Sequence, residues 1–254
     1  MYEHRLAADP AEYASRLLRA TRTEALLVDD GFPPPDEGTS CSELGELAGC
    51  EARPVLRLET RGDGAPEAVR AARVDGIVAL KTIAAYRGGL DRVSDDVVDA
   101  LEANEATGDP LPVQVHCGFG DSDLQLARAD PSLLKPLVER FRETAFVLLH
   151  CYPFVREGGW LASVYGNVFF DLSLTIPHVA RPTEALREAL ELAPVSKLLY
   201  ASDAARTPEL YYLAAKWWRE SLAEVLAESL PADEAAEAGR AILRENAIAL
   251  YRLA

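Results

Sequence analysis

The sequence predicts an α/β fold of the (β/α)8 TIM-barrel type, and three observations carry this prediction. Apolar, β-rich runs alternate with helix-like segments along the whole chain of 254 residues. These runs begin about every thirty residues, which is the length of one right-handed βα unit. Polar residues stand at the ends of many different runs, as expected of a barrel in which every strand opens on one shared mouth.

Seven runs are candidate strands. Near-continuous apolar strands that alternate with helices predict a parallel sheet covered by helices. An open doubly wound sheet is the alternative architecture, but it would gather its polar residues at one switch point, usually beside a glycine-rich phosphate loop. No such loop follows any run, and we therefore favour the barrel. The runs cover residues 24–32, 53–60, 76–83, 112–119, 145–152, 168–174 and 197–204.

Amphipathic segments between the runs predict helices. One covers residues 94–106 with Ser94 as its N-cap, and another covers residues 130–143 with Pro131 near its first position. Two further helices follow the last run, within residues 207–252. Trp217 and Trp218 lie in the first of these at amphipathic spacing, which predicts core packing. We expect residues 1–254 to form a single barrel domain.

Composition limits the classes of partner. A net charge of -15 disfavours binding to nucleic acid or to an anionic membrane, because either would be repelled. No apolar stretch approaches the roughly 20 residues needed to span a bilayer, and no secretory pattern opens the chain. The four cysteines, at 41, 50, 117 and 151, do not resemble a disulfide framework or a structural zinc site. We expect a cytoplasmic protein with a small-molecule substrate, which could form a homo-oligomer.

Four polar side chains end different runs and form the main candidate site. Imidazole and carboxylate groups suit a divalent ion such as Zn²⁺, one or two of which we expect here. Each of them could instead have a purely structural role. The histidines could be hydrogen-bonded core residues, the aspartate could cap the following helix, and the lysine could lie at the surface. The four are Lys81, His116, His150 and Asp203, and weaker candidates at run ends or in loops are Asp30, Glu59 and His178.

A histidine followed by a cysteine occurs twice, in "VQVHCGFG" and "VLLHCYPF". Neighbouring strand residues point to opposite faces, so His116 and Cys117 cannot both face the interior, and neither can His150 and Cys151. If the histidines face the interior, the cysteines pack outwards against helices as small apolar residues. The pattern therefore predicts two adjacent strands, in register, that each deliver one imidazole to the mouth.

Four stretches of the chain resemble a known family. The sequence is similar to the metal-dependent amidohydrolase superfamily, in its amidohydrolase-related branch with the nodulin/glutamine-synthetase-associated domains. The resemblance covers nearly the whole chain. It is strongest in "LKTIAAYRGGLD", "VQVHCGFGDSDL", "LLHCYPFVREGGWLASVYGNVFFDLSL" and "LLYASDAARTPELYYLAAKWWRESL".

The resemblance implies roles for individual residues. It implies that His116 is a metal ligand, that His150 lies near the metal or substrate, and that Asp203 binds metal and takes a proton from water. Lys81 occupies the strand whose lysine, in binuclear members, is carboxylated and bridges two metals. Tyr86 and Arg87 follow the same strand, and Arg87 could hold a substrate carboxylate or only pair with acidic neighbours. Glu59 is a further expected substrate contact.

The chain departs from the family pattern at its beginning. The family's first strand carries an H-x-H pair of metal ligands, and neither the strand nor the pair is found here. His4 has no such partner and is not assigned. We therefore expect a domain that is truncated at its N-terminus, either through a late start in the gene model or as a degenerate paralogue, with unpaired edges on the flanking strands.

Three functions remain open. The first is metal-dependent hydrolysis of a C–N, amide-type bond, with metal-activated water, Asp203 as the base and His150 as a stabiliser of the oxyanion. The second is non-oxidative decarboxylation, in which Asp203 protonates carbon and Arg87 holds the carboxylate. The third is a catalytically inactive remnant that binds a small molecule or a partner.

Overall fold

The seven predicted strands form one parallel sheet. A computed structural model describes residues 9–29, 31 and 38–253 of the chain. The strands pair strictly in chain order from β1 to β7, so the sheet curls into part of a barrel. This order is incompatible with the doubly wound alternative, in which the strand order reverses. The strands are β1 (Ala25–Asp29), β2 (Glu51–Arg57), β3 (Ala79–Thr82), β4 (Val113–Cys117), β5 (Phe146–His150), β6 (Val168–Asp171) and β7 (Leu198–Leu199).

Helices connect successive strands and cover the outside of the sheet. The second helix has a complete capping box, because the hydroxyl of Ser40 accepts from the amide of Glu43 and the Glu43 carboxylate accepts from the amide of Ser40. Before β1 lies α1 (Pro10–Ala20). Between strands lie α2 (Cys41–Ala48), α3 (Ala65–Ala71), α4 (Asp95–Glu105), α5 (Lys135–Arg140), α6 (Val155–Val164), α7 (Thr175–His178) and α8 (Pro182–Leu190), and after β7 lie α9 (Pro208–Ser229), α10 (Ala232–Arg240) and α11 (Asn246–Tyr251).

Two of the predicted helices differ from the structure in detail. Ser94 occupies the N-cap of α4, but its side chain makes no capping hydrogen bond. The segment predicted as one helix over residues 130–143 begins with a 3-10 turn at Pro131–Leu134 and continues as α5. A second proline at position 136 lies in the first turn of α5, and the amide that it lacks is one that a helix start leaves unpaired anyway.

Alternation along the strands separates two apolar layers. Between sheet and helices lies the main core, which includes Val113, Val115, Phe170 and the fully buried Trp218 of α9. Inside the curl lies a smaller cluster that is contributed by alternate strand residues and by Tyr251 of α11. The inner cluster contains Val55, Ala79, Val147, Leu149, Leu199 and Tyr251.

The inner apolar cluster carries a polar layer above it. Two residues further along the same strands, the inward face changes from apolar to charged, with Arg57 after Val55 and Lys81 after Ala79. On β4, Gln114 donates to the Tyr251 hydroxyl over 3.1 Å, and two residues later the strand reaches His116. The inward side chains of the strands therefore form an apolar cluster first and present polar groups at the carboxyl ends of the strands.

The structure corrects the register expected for the two histidines. His116 lies opposite Leu149, one residue before His150, so the histidines are offset by one. Leu149 faces the interior, and strict alternation would direct His150 towards the helices. The backbone takes left-handed φ values at His150 (67°) and Cys151 (59°), and this turn brings the His150 ring against that of His116.

The C-terminal helices pack against the strands as one continuous arm. A π-helical turn at Ala241–Glu245 joins α10 to α11, and Ile242 within it is fully buried. The side-chain amide of Asn246 donates to the carbonyl oxygens of Val195 and Leu198, which fixes α11 to the start of β7. In the part of the chain that the structure describes, no helix is long and apolar enough to cross a bilayer.

Asn104 fixes the loop between α4 and β4, and its removal is expected to destabilise the fold. Its buried amide donates to the carbonyl of Leu111 and accepts from the Leu111 amide, both at 2.9 Å. Replacing Asn104 by alanine leaves both backbone groups unsatisfied, and we expect the free energy of unfolding to fall by about 1–3 kcal/mol. Urea unfolding measures this loss. Asp99→Ala, an exposed change on the same helix, is the control, and an equal effect of the two changes would refute the role of Asn104.

Candidate functional site

A cavity of about 1850 Å³ opens where the strands end and continues along the open side of the sheet between β1 and β7. Its position agrees with the general rule that parallel barrels place their sites at the carboxyl ends of strands. The polar walls come from several strands and the loops after them. Predicted site residues that line it are Lys81, Tyr86, Arg87, His116 and Asp203, and the weaker candidate His178 lines it as well.

The rings of His116 and His150 meet at the base of the polar layer. Their centroids are 4.6 Å apart, and both side chains are buried, with His150 only 1% exposed. Burial, together with the neighbouring His150 and Lys81, lowers the pKa of His116 to about 2. Burial and the charge of Lys81 also hold the pKa of His150 well below its usual range. Both imidazoles are therefore neutral near pH 7, and each keeps one nitrogen with a free lone pair.

Asp171, the last residue of β6, and Ser173, two residues later, hold the backbone and ring of His150. The left-handed backbone frees the His150 amide from the strand ladder, and it donates to Asp171 Oδ1 over 2.9 Å. The hydroxyl of Ser173 lies 2.6 Å from His150 Nδ1 and 2.7 Å from the same Asp171 oxygen. Burial raises the pKa of Asp171 to about 6, although these donors oppose the shift. His150 is thus held by two buried neighbours, which themselves line the cavity wall, whereas His150 does not.

Asp203 approaches the histidines from the loop after β7. Its carboxylate lies 3.8 Å from His150 Nε2 and 3.9 Å from Lys81 Nζ, and its side chain is 35% exposed. Its backbone is left-handed, with φ of 49°, a conformation that costs about 1–3 kcal/mol in a residue other than glycine. Strained residues of this kind cluster at functional sites, and His150 shares the feature. The carboxylate therefore reaches both solvent and the buried imidazoles.

Lys81 takes part in a buried group of charges. Its ammonium lies 2.9 Å from Asp29 Oδ2, and the guanidinium of Arg57 donates to the same carboxylate. Burial alone would raise the pKa of Asp29, but Lys81 and Arg57 together hold it below its ordinary value. Lys81 is therefore placed as an ammonium partner of Asp29. A carboxylated lysine would carry the opposite charge beside this carboxylate.

The remaining predicted residues occupy different places. The Tyr86 hydroxyl accepts from the Asp121 amide over 3.0 Å, and its ring lies 4.7 Å from that of His116. A Cβ at Gly120 would collide with this hydroxyl, so a larger residue there would have to displace the Tyr86 side chain. Arg87 is exposed at the rim of the cavity.

Glu59 lies outside the residues that line the cavity. Its Oε1 accepts from the amide of Ile83 over 2.8 Å and from the hydroxyl of Thr82, at the end of β3. Its second oxygen is buried without a hydrogen-bond partner among the described residues. The predicted contact of Glu59 with substrate stays a prediction. His178 is exposed and bonds the Leu174 carbonyl through Nδ1 over 2.8 Å, and Asp30 lies outside the described residues.

Cys117 and Cys151 are fully buried in the main core between sheet and helices. The predicted outward packing of both cysteines is thereby confirmed, through alternation for Cys117 and through the left-handed turn at His150 and Cys151 for Cys151. Burial raises the pKa of each well above its usual range, which keeps the unreactive thiol form. We expect iodoacetamide to leave both unmodified in the folded protein and to modify both after unfolding, as read by peptide mass spectrometry. Rapid modification in the folded protein would contradict their placement.

The donor groups at the mouth are of the right kind for a divalent ion. His116 Nε2 is buried without a hydrogen-bond partner among the described residues, and the neutral imidazoles and the carboxylate of Asp203 are good ligands. Within residues 9–29, 31 and 38–253, no three His, Cys, Asp or Glu side chains are close enough together to hold a metal ion. His116, His150 and Asp203 therefore have the right chemistry for such an ion, but their side chains lie farther apart than the ligands of a bound metal.

Three residues of the site were not selected from the sequence. Asp29 and Asp171 stand at strand ends, and that position is the signal that could have identified them. Ser173 lies two residues beyond Asp171 in "FFDLSL", so an extended chain would place both on one face. The sequence alone does not show which strand-end carboxylate faces a lysine and which one supports a histidine.

Comparisons with known proteins agree with this architecture. Protein fluG from Emericella nidulans is 37% identical over 164 residues, which make up 61% of this chain and 19% of that protein. The chain thus spans less than two thirds of the length of this relative. A solved structure from Lactobacillus casei, provisionally assigned as a metal-dependent hydrolase, superposes with a TM-score of 0.87 at 29% identity, over 96% of this chain and 78% of that one.

Two more distant structures share the fold. A uronate isomerase from Bacillus halodurans has a TM-score of 0.67 at 15% identity, over 99% of this chain and 71% of that one. A dihydroorotase from Campylobacter jejuni has a TM-score of 0.63 at 16% identity, over 95% and 79%. The amidohydrolase family model matches residues 54–253, from β2 to the end of α11, and this range includes Lys81, His116, His150 and Asp203. The chain therefore belongs to the amidohydrolase family, whose members include metal-dependent hydrolases.

Proposed function

We propose that the protein is a metal-dependent hydrolase that cleaves a C–N, amide-type bond of a small molecule. The observation that carries this proposal is the meeting of two neutral, buried imidazoles with the partly exposed carboxylate of Asp203, at a cavity that His116 and Asp203 line. These groups lie at the ends of three different strands or in the loops that follow them. Family membership supports the hydrolytic class of the reaction.

His116, His150 and Asp203 are the residues that would hold a divalent ion, and we propose Zn²⁺. Such an ion supplies Lewis-acid chemistry and lowers the pKa of bound water to about 7. Lys81 would act from its ion pair with Asp29, as a fixed positive charge 3.9 Å from the Asp203 carboxylate. This placement supports an ammonium role for Lys81 over a bridging one.

Asp203 is the proposed proton carrier. Its Oδ2 would accept a proton from water and return it to the leaving amine, and its partial exposure gives it access to both. His150 would either bind the ion or stabilise negative charge that develops on the substrate oxygen. Arg87 and Tyr86, at the rim, would contact the substrate, with Arg87 suited to a carboxylate group.

Metal analysis and a substrate panel test the proposal. The purified protein is incubated with Zn²⁺, dialysed and assayed for bound metal, and then tested on small amides and on carboxylic acids. We expect bound metal and release of ammonia or amine. Release of CO₂ would instead assign a decarboxylase, and binding of ligands without metal or turnover would assign a non-catalytic binding protein. Either result overturns the proposed hydrolase.

A further inference from the structure

The hydroxyl of Ser173 has one proton and two acceptor atoms within reach. His150 Nδ1 lies 2.6 Å away and Asp171 Oδ1 lies 2.7 Å away. All three residues are buried, with exposures of 1%, 2% and 1% for His150, Asp171 and Ser173. Water therefore does not compete for these bonds, and the direction of the hydroxyl proton decides which nitrogen of His150 carries hydrogen.

Asp171 Oδ1 accepts hydrogen bonds from other groups besides the Ser173 hydroxyl. It also receives the backbone amides of His150 and Ser173, each over 2.9 Å. A hydroxyl that pointed away from this oxygen would leave two oxygen lone pairs facing each other over 2.7 Å without a proton between them. The Ser173 hydroxyl therefore donates to Asp171, and its own lone pair faces His150 Nδ1.

One other group approaches the same nitrogen. The amide of Leu174 lies 3.4 Å from His150 Nδ1 and would favour the opposite tautomer, with the proton on Nε2. At that length it is a weak bond, whereas the Ser173 oxygen lies at 2.6 Å. The shorter contact governs the tautomer.

We infer that Ser173 and Asp171 are positioning residues that hold His150 as its Nδ1–H tautomer. Nε2 then keeps its lone pair, and the nearest carboxylate oxygen to it among the described residues, Asp203 Oδ2, lies 3.8 Å away at the cavity wall. An Nε2 atom without hydrogen can bind a cation or accept a proton, but it cannot donate to a developing oxyanion. The tautomer makes His150 a metal ligand rather than a stabiliser of the oxyanion. This catalytic role rests on the proposed function, whereas the tautomer itself does not.

Ring-nitrogen NMR of the metal-free protein tests the tautomer directly. Long-range ¹H–¹⁵N spectra near neutral pH distinguish a protonated ring nitrogen from a bare one, and His150→Gln identifies the signals of His150 among the four histidines. We expect His150 to show a protonated Nδ1 and a bare Nε2. The reverse pattern in the unmodified protein overturns the inference. Neither metal nor substrate is needed, so this result is separate from the test of the proposed hydrolase.

Variants test the cause of the tautomer. Ser173→Ala leaves only the Leu174 amide at Nδ1, and we expect the Nε2–H form to become dominant. Asp171→Asn keeps an acceptor oxygen at Oδ1, because two backbone amides face that position, and we expect the Nδ1–H form to persist. The control is Ser163→Ala, whose hydroxyl bonds the Trp160 carbonyl on the surface of α6. An unchanged tautomer in folded Ser173→Ala, or a reversed one in Asp171→Asn, overturns the mechanism.

Discussion

Replacing Asp203 by asparagine is expected to lower kcat for hydrolysis by about 10²- to 10⁴-fold, the usual contribution of a positioned proton carrier. The amide is nearly the same size as the carboxylate, but it cannot accept a proton near neutral pH. Asp203 also has more access to solvent than Asp29, since their side chains are 35% and 12% exposed. Steady-state rates at saturating metal, on the amide that the panel identifies, give the measurement.

The control for Asp203→Asn is a second carboxylate of the same cavity. Asp123 also lines the cavity, is exposed, and has no assigned role, so Asp123→Asn should keep kcat close to that of the unmodified protein. Bound metal is measured in both variants, because Asp203 is also a proposed ligand. A rate that survives in Asp203→Asn with metal bound would remove Asp203 from the proposed mechanism.

Replacing Asp29 by alanine should destabilise the fold more than any other single change to the charged group at the mouth. It would leave Lys81 and Arg57 without their shared partner, in positions where their side chains are only 9% and 13% exposed. Removing one member of a buried ion pair typically costs about 3–5 kcal/mol in free energy of unfolding. Urea or guanidinium unfolding curves measure the loss.

The matched variant is Lys81→Met, which removes one cation and keeps the length of the side chain. Asp29 then retains Arg57, and we expect a clearly smaller loss of stability than in Asp29→Ala. The order of the two variants is the decisive result. If Lys81→Met were the more destabilising change, the carboxylate of Asp29 would not be the centre of this group.

The sequence predicts the fold well because its signals are local and repeated. Each of the seven strands lies within or overlaps its predicted run, since apolar periodicity and βα spacing act on every unit in the same way. The burial of Trp218 and the outward packing of Cys117 also follow from periodicity. These properties depend on which face a residue takes, and the local pattern is enough to decide that.

The site is less predictable because it depends on departures from local rules. The left-handed turn at His150 reverses the face that alternation assigns. Glycine is the usual sequence signal for left-handed backbone, and the chain has a histidine at this position. The pairing of Lys81 with Asp29 joins β3 to β1, a contact that depends on the curl of the sheet. The support of His150 by Asp171 and Ser173 likewise requires knowledge of which side chains face each other between β5 and β6.

Alternation along β4 has a consequence for engineering this protein. His116 and Cys117 are adjacent in the chain, yet one faces the cavity and the other is fully buried among apolar residues under the helices. The two positions can therefore be varied as independent design variables, one for reactivity and one for robustness. A library that randomises inward strand-end positions while it preserves their outward neighbours would explore new substrates on an unchanged scaffold.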